Sequence, residues 1–184
     1  AGFDPDTGKS LWEVPATTMA TSGTMVWHKD LVFASGGFPK SETVCIRADG
    51  SGTIVWKNTQ KCYEQSMIVH GGYVYAMTDP GIVFCWRATD GKVMWRERLR
   101  GPISASPVIA GGNIYMSNEL GTTFVFKASP TKYIELGRNS LGNEIFSTPS
   151  ICGGRVYVRV AHLSAGQRRE VLYCIGDKTT ASRC

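Results

Sequence analysis

The chain has 184 residues, 42% of them hydrophobic and 19% charged, a composition that predicts a folded globular protein and excludes a disordered one. The 21 glycines and 8 prolines, beside 5 tryptophans and 7 tyrosines, are typical of many short strands joined by tight turns. The basic excess behind the net charge of +5 is scattered, so we expect no nucleic-acid partner, and no apolar run approaches the ~18 residues of a membrane span.

The first complete element that the sequence predicts is a strand from Lys9 to Val14, which follows the turn Asp4-Pro5-Asp6-Thr7-Gly8-Lys9. The residues before this turn, Ala1 to Phe3, fit the end of an earlier strand. No charged and apolar leader opens the sequence, so we expect no signal peptide in this chain.

Four later segments align with one another without gaps, at intervals of about 40 residues. Each consists of a hydroxyl residue, an apolar run, a two-residue turn and an apolar pair. The turn centre, Lys29-Asp30 in the first copy and Gly-Gly in the other three, supplies the positive-φ positions of a hairpin. Each segment therefore predicts a hairpin of two strands, A and B. The segments are 24–33, 66–75, 106–115 and 148–157.

A second motif, Gly-x-x-x-Trp, ends at Trp12, Trp56 and Trp95, and strand-like runs precede its turn in the complete copies. The runs and the motif predict strands C and D of each unit. In the remaining copy Glu135 stands where the tryptophan is expected, and Leu136 is the candidate to fill the space. Four strands in about 40 residues predict a β-propeller blade.

The predicted fold is therefore all-β: a single β-propeller domain over residues 1–184 with four four-stranded blades, or half of an eight-bladed ring. The last blade has strands A, B and C, up to the run Val171-Leu172-Tyr173-Cys174-Ile175, and no strand D after it. We expect the N-terminal strand to complete this blade, either within one chain or between two. Closure through a symmetric pair would cover the apolar faces of both ends, so a homodimer is predicted.

The Asp-x-x-Thr-Gly-Lys turn with its following tryptophan, seen at residues 4–12 and in shorter form at 88–95, resembles the pyrroloquinoline-quinone-type (PQQ-like) repeat family. The resemblance spans essentially the entire chain. It implies a bacterial propeller of seven or eight blades in which the tryptophans dock between neighbouring blades. It also implies an exported, periplasmic protein.

The family is named after quinone-dependent dehydrogenases, which the resemblance makes one hypothesis. Those enzymes hold the quinone under a stacked tryptophan, with a calcium ion, a catalytic aspartate and two adjacent cysteines. This sequence has no adjacent cysteines, and the repeat accounts for Trp12, Trp56 and Trp95. We therefore predict no catalytic, cofactor-binding or metal-binding residues. The preferred hypothesis is a non-catalytic binding scaffold, and the alternative is a fragment of a propeller enzyme.

In a propeller, strand A lines the central channel, so a binding site is expected where these strands begin. Two longer loops are expected to add partner contacts. The partner predicted from such a surface is a protein, peptide or saccharide. The candidate residues at the channel mouth are Lys61, Tyr63, Glu64, Gln65, Asn143 and Glu144, and those in the loops are Phe38, Arg168 and Arg169.

The six cysteines show no C-x-x-C spacing, which argues against a zinc or haem site. Cys45, Cys85 and Cys174 stand at nearly the same point of three repeats, where small hydrophobic residues are wanted. We predict that these three are buried, reduced thiols that belong to the core.

Overall fold

The computed structural model describes residues 1–176, which form seventeen β-strands and no helix. In this part of the chain there is accordingly no helical segment able to cross a membrane. The strands form five antiparallel sheets. Sheet by sheet they are β1 (Gly2–Phe3) and β2 (Ser10–Trp12); β3 (Val26–His28), β4 (Leu31–Gly36), β5 (Glu42–Arg47) and β6 (Ile54–Asn58); β7 (Ile68–His70), β8 (Tyr73–Thr78), β9 (Ile82–Arg87) and β10 (Val93–Arg98); β11 (Val108–Ala110), β12 (Asn113–Ser117), β13 (Thr122–Lys127) and β14 (Glu135–Ser140); β15 (Ser150–Cys152), β16 (Arg155–Ser164) and β17 (Gln167–Ile175).

The sheets β3–β6, β7–β10 and β11–β14 are called blades I, II and III, and the sheet β15–β17 is called blade IV. Each blade runs in chain order, with each strand paired to the next. The prediction of repeated all-β blades is therefore confirmed. The blade composition differs from the prediction in one respect, because blade IV has three strands among the described residues.

The four predicted A–B hairpins are confirmed. In the first two, His28 pairs with Leu31 and His70 pairs with Tyr73 across two-residue turns. Lys29 has a φ of 55°, and both residues of every Gly-Gly turn also have positive φ. Glycine adopts this conformation without a Cβ clash, so the turn sequence sets the register of each hairpin.

The hydrophobic core lies between successive blades. Phe33 of blade I belongs to the same buried cluster as Phe84 and Trp86 of blade II. Tyr75 of blade II likewise shares a cluster with Phe126 of blade III. Each blade is therefore stabilised mainly by burying apolar area against its neighbours, as expected of stacked repeats.

Two of the motif tryptophans dock between blades, as the family resemblance implies. The indole N–H of Trp56 donates to the backbone carbonyl of Ala88 in the next blade at 2.8 Å. The indole N–H of Trp95 donates to the carbonyl of Ser129 at the same distance. The ring of Trp56 also lies 6.1 Å from that of Trp86, centroid to centroid. These side chains therefore wedge and hydrogen-bond each blade to the following one.

In blade III, Gly137 and not Glu135 stands at the tryptophan position. Trp56 and Trp95 each follow a register shift and lie opposite the cysteine of the neighbouring strand. Gly137 has the same place in its ladder, opposite Val125 and just after the shift. The assignment of Glu135 to this position was therefore wrong.

The error comes from the length of the preceding turn. Residues 128–134 connect β13 to β14, whereas 88–92 and 48–53 make this connection in blades II and I. An alignment that starts from the hairpins assigns Glu135 to the tryptophan position, because it does not account for the extra residues of this turn. Leu136, which was expected to fill the space of the tryptophan, is exposed.

The N-terminal strand β2 does not complete blade IV within one chain. It pairs with β1 in a separate two-stranded sheet, and Trp12 packs against Ala34, Val44 and Ile46 of blade I. The turn between β1 and β2 is closed by the hydrogen bond from the Gly8 N–H to the Asp4 carbonyl. Such a local hairpin costs less loop-closure entropy than pairing with the distant β17, which explains the difference from the prediction.

The three aligned cysteines do not share one environment. Cys45 and Cys85 are fully buried, as predicted, but Cys174 is exposed. Cys174 lies opposite Tyr157, the counterpart of Phe33 and Tyr75, so it is on the same face of its blade as the other two. On blade IV no further sheet of the described residues covers this face, and the burial prediction for Cys174 was therefore wrong.

Candidate binding site

A shallow polar cleft lies where the segments entering β7 and β11 meet the turns that follow β8 and β12. We call it the rim cleft, and its volume is about 160 Å³. Its polar groups are hydroxyl, amide and carboxylate groups. The residues that line it include Tyr63, Glu64, Gln65, Asp79, Ser104 and Glu119.

Gln65 and Asp79 form the floor of the rim cleft. The Gln65 side chain is only 1% exposed, and its amide nitrogen donates to the Met77 carbonyl and to the Asp79 carboxylate. The same carboxylate accepts the backbone N–H of Tyr63 at 2.9 Å. Because its hydrogen bonds are satisfied within the protein, Gln65 positions the cleft wall and is not a free contact residue.

On the other side, the cleft is continuous with the loop that carries Phe38. A Cβ atom built on Gly37 would lie 2.1 Å from a ring atom of Tyr63, so the ring packs directly on this glycine. Phe38 itself is 62% exposed and follows immediately. The ammonium group of Lys61 lies over the Tyr63 ring at 5.2 Å and forms an ion pair with Asp79 at 3.1 Å.

The structure thus brings five of the predicted residues close together. Phe38 and Glu64 are exposed, Lys61 and Tyr63 are half-buried, and Gln65 is buried beneath them. We call the surface of Phe38, Lys61, Tyr63 and Glu64, together with the rim cleft, the rim patch. Aromatic side chains are enriched at protein interfaces, and charged groups such as these carboxylates and the ammonium group are found mainly at the interface rim.

The remaining predicted residues form a second group on blade IV. Arg168 donates to the Glu144 carboxylate at 2.9 Å and also bonds Glu170. The Asn143 side chain accepts the backbone N–H of Leu163 at 2.7 Å. These contacts anchor the long β16–β17 hairpin to the segment that precedes β15, so Asn143, Glu144 and Arg168 hold the loop in place.

Arg169 lies on the opposite face of this hairpin, where it pairs across the ladder with His162. Together with Tyr173 these residues line a shallow depression. The His162 ring nitrogen Nε2 and the Tyr173 hydroxyl are 2.8 Å apart. The depression is open and mostly formed by one hairpin, so it offers little enclosure for a ligand.

Two carboxylates of the rim cleft were not among the candidates taken from the sequence. Asp79 follows strand B of blade II, and Glu119 follows strand B of blade III. The two positions are equivalent, because Ala76 pairs with Phe84 in blade II as Met116 pairs with Phe124 in blade III. The Glu119 carboxylate accepts the hydroxyl of Ser104. Alignment of the B–C turns, and not only of the strand A starts, would have found this repeated acidic position.

Two observations on the described residues bear on the hypothesis of a quinone and calcium site. The motif tryptophans Trp56 and Trp95 lie between blades, where each indole N–H donates to a backbone carbonyl. Residues 1–176 contain no group of three or more histidine, cysteine, aspartate or glutamate side chains arranged to hold a metal ion.

The stacked antiparallel sheets, the recurrent hairpins and the inter-blade tryptophans define a repeat protein of the β-propeller class. A family model described as outer membrane protein assembly factor BamB matches residues 40–129. Residues 40–129 therefore match a family of PQQ-like repeats, and the resemblance seen in the sequence is confirmed.

Known proteins support this assignment at low sequence identity. The outer membrane protein assembly factor BamB of Legionella pneumophila (strain Paris) is 18% identical over 160 residues, covering 74% of this chain and 41% of the relative. The crystal structure of BamB from Moraxella catarrhalis superposes with a TM-score of 0.63 at 12% identity, over 80% of this chain and 51% of that one. The quinohemoprotein alcohol dehydrogenase of Comamonas testosteroni superposes with a TM-score of 0.65 at 12% identity, over 80% of this chain and 31% of that one. The chain thus spans about two-fifths of the curated relative, and the structural matches show the fold alone.

Proposed function

We propose that this chain is a non-catalytic protein-interaction scaffold that binds its partner through the rim patch. The observation that carries the proposal is the joining of the exposed Phe38 loop to the polar rim cleft through the contact of Tyr63 with Gly37. A rigid stack of blades holds these loops in fixed positions, which reduces the entropy lost on binding. The curated relative is an outer membrane protein assembly factor, and a role in protein assembly agrees with a surface of this kind.

The proposal is tested by site-specific photo-crosslinking in the native bacterium. A photoreactive phenylalanine analogue at position 38 should give a discrete adduct with a partner protein, and Tyr63→Ala should weaken the adduct because the loop loses its support. The same analogue at position 27 is the matched control, since Trp27 is also an exposed aromatic but lies on β3. Equal adducts at positions 27 and 38, or none at position 38, would contradict the proposal.

The alternative is a fragment of a quinone-dependent dehydrogenase. It is favoured by the structural similarity to the Comamonas testosteroni enzyme, which covers only 31% of that protein. The two functions are separated by adding pyrroloquinoline quinone and calcium to the purified chain with an alcohol and a reducible dye. A scaffold leaves the quinone absorption spectrum and the dye unchanged, whereas dye reduction would favour the enzyme.

We also propose an exported, periplasmic location, supported by the similarity to an outer membrane protein assembly factor. The buried polar groups of the rim cleft and the free thiols of the core fit a periplasmic and a cytoplasmic protein equally. The proposed location therefore rests on the similarity alone. Fractionation of the native bacterium with an antibody against the chain tests it. Recovery with cytoplasmic markers would overturn it.

A homodimer is proposed from the packing of β2. Trp12 already packs on blade I as the tryptophan of a preceding strand D would, and blade IV has strands A to C without a strand D among the described residues. In the proposed dimer, β2 of one copy pairs with β17 of the other in place of the two-residue β1. The exposed face of blade IV that carries Leu172 and Cys174 is then covered by blade I of the partner copy.

A further inference from the structure

The interface between blades III and IV contains a cavity of about 260 Å³. It is lined on one side by Tyr115, Val125 and Ser140 of blade III and on the other by Val156, Val158 and Ile175 of blade IV. Its walls are mostly apolar, and polar atoms are confined to a few hydroxyl and amide groups such as those of Thr123 and Asn139. The cavity is separate from the rim patch, so a ligand bound there would be independent of the proposed function.

The cavity is lined by two residues of the row in which the tryptophan is missing. Tyr115, Val125 and Gly137 lie opposite one another across β12, β13 and β14. In blade II the same row is Tyr75, Cys85 and Trp95, and there the indole fills the gap to the next blade. A Cβ atom on Gly137 would meet nothing closer than the Asn139 side chain at 3.9 Å.

The exposure of the row changes as expected when its third member is lost. Tyr75 and Cys85 are both fully buried beneath Trp95. Tyr115 and Val125, at the same positions of blade III, are only partly buried. Across the gap, Ile175 stands at the place of Phe126, the residue whose ring packs against Trp95, and it is exposed.

We propose that this cavity is a binding site for a small planar aromatic molecule of the size of indole. The bound ring takes the position that the indoles of Trp56 and Trp95 occupy in the two preceding interfaces of the same chain. A void of about 260 Å³ lies below the range of ~300–1,000 Å³ typical of pockets for drug-sized ligands, which restricts the occupant to one small ring system. The apolar walls favour a neutral ring, and the hydroxyl groups that line this cavity supply acceptors for the N–H group of that ring.

The occupant inserts between the sheets from solvent and makes contact with both blades. Apolar surface of Val125, Val156 and Val158 that now faces the gap is then removed from water. Binding therefore stabilises the joint between blades III and IV, which lacks the wedge that the other two joints have. Because only the folded stack has the site, the ligand should raise the melting temperature of the chain.

Free indole is the probe for the first test, by isothermal titration calorimetry and thermal melting of the full chain. We expect saturable binding to the wild-type chain and an increase in melting temperature with indole concentration. Gly137→Trp should weaken indole binding by about tenfold or more, because the new side chain occupies the site, and should itself raise the melting temperature. Gly137→Ala is the matched control, since it removes the glycine and leaves the cavity, and it should bind indole like the wild type.

A second measurement locates the ligand without any substitution. In methyl NMR spectra, indole should shift the resonances of Val125, Val156 and Val158 through its ring current. The methyl groups of Val74 and Val83, which lie in the filled interfaces, are the internal control and should not move. Absence of saturable binding, equal binding by wild type and Gly137→Trp, or shifts confined to other methyl groups would each overturn the proposal.

Discussion

At the level of single residues, the motif tryptophans Trp56 and Trp95 have a role that their position in the repeat already indicated. Each indole is enclosed by apolar groups of two blades and donates one hydrogen bond to a backbone carbonyl of the following blade. Replacement of such a side chain by alanine leaves a cavity and removes the donor to that carbonyl. The consequence is a loss of stability and not a loss of a binding residue.

We predict that Trp56→Ala and Trp95→Ala each lower the free energy of unfolding by about 3–5 kcal/mol. Trp27→Ala is the control, because Trp27 is 72% exposed, and its change should remain within about 0.5 kcal/mol. Chemical denaturation followed by circular dichroism measures all three. Similar stability of the Trp56 and Trp27 variants would show that the inter-blade indole is dispensable.

The thiols are predicted to differ in reactivity according to their burial. Burial raises the pKa of Cys45, Cys62 and Cys85 to about 12, so almost no thiolate is present at neutral pH. Cys152 and Cys174 are exposed and should react rapidly with an alkylating reagent. Timed alkylation followed by mass spectrometry measures the order. Fast labelling of the three buried thiols in the native chain would contradict the packing between blades. The sixth thiol, Cys184, lies outside the described residues.

At the level of the element, the turn between strands C and D is stabilised locally. The Arg87 guanidinium donates two hydrogen bonds to the Asp90 carboxylate, and the backbone N–H of Lys92 donates a third. These hydrogen bonds, that of Arg87 first, lower the pKa of Asp90 from 3.8 to about 2. The pair is exposed, so its contribution is limited by solvent screening.

The lowered pKa fixes the direction of a pH effect. The folded chain binds the Asp90 proton less readily than the unfolded chain, so the stabilisation is complete above pH ~4 and is lost as the pH falls through about 2. We predict that Asp90→Asn lowers the melting temperature at neutral pH and that the difference from wild type disappears near pH 2. Asp6→Asn, in the corresponding turn before β2, is a charge-matched control. A difference that persists unchanged at pH 2 would assign it to something other than this carboxylate.

Strand β14 of blade III shows how a single strand changes the packing at the interface between two blades. Its turn is longer, a glycine takes the tryptophan position, and Glu135 is held by Tyr133 and Arg138 away from the gap. The core cluster of the following joint is correspondingly small, with Ile145, Val158 and Val160 as its buried members. Strand number and pairing are unaffected, because backbone ladders do not depend on this side chain.

At the level of the whole molecule, the outer face of blade IV is left uncovered by the other described blades. Leu172 on this face is 70% exposed. A large exposed apolar side chain in the middle of a sheet face favours association.

We predict that the wild-type chain is a dimer at micromolar concentration and that Leu172→Glu shifts it to the monomer, because a buried unpaired carboxylate is costly. Leu120→Glu is the control, since Leu120 is also exposed but lies in a turn of blade III. Size exclusion with light scattering gives the masses. A wild-type monomer, or a Leu172→Glu dimer, would exclude the proposed closure.

The candidate site was only partly predictable. Tyr63, Glu64 and Phe38 could be proposed from the repeat, because they lie in a segment that leads into a strand or in a loop that extends beyond the repeat. Gln65 was a candidate on the same ground, but its side chain is buried and its amide donates a hydrogen bond to Asp79. Arg168 was expected to be a contact residue, but it pairs with Glu144, which no local pattern indicates.

The sequence by itself determined the strands, the hairpins and the blade period, because two-residue turns and alternating apolar residues act over short distances. It also determined that Trp56 and Trp95 are structural, since both recur at the same point of the repeat. Only the tertiary structure decided that Gly137 occupies the third such position, that β2 pairs with β1 and packs on blade I, and that Cys174 is exposed. These features depend on which surfaces meet across tens of residues, where turn length and loop-closure entropy outweigh the local pattern.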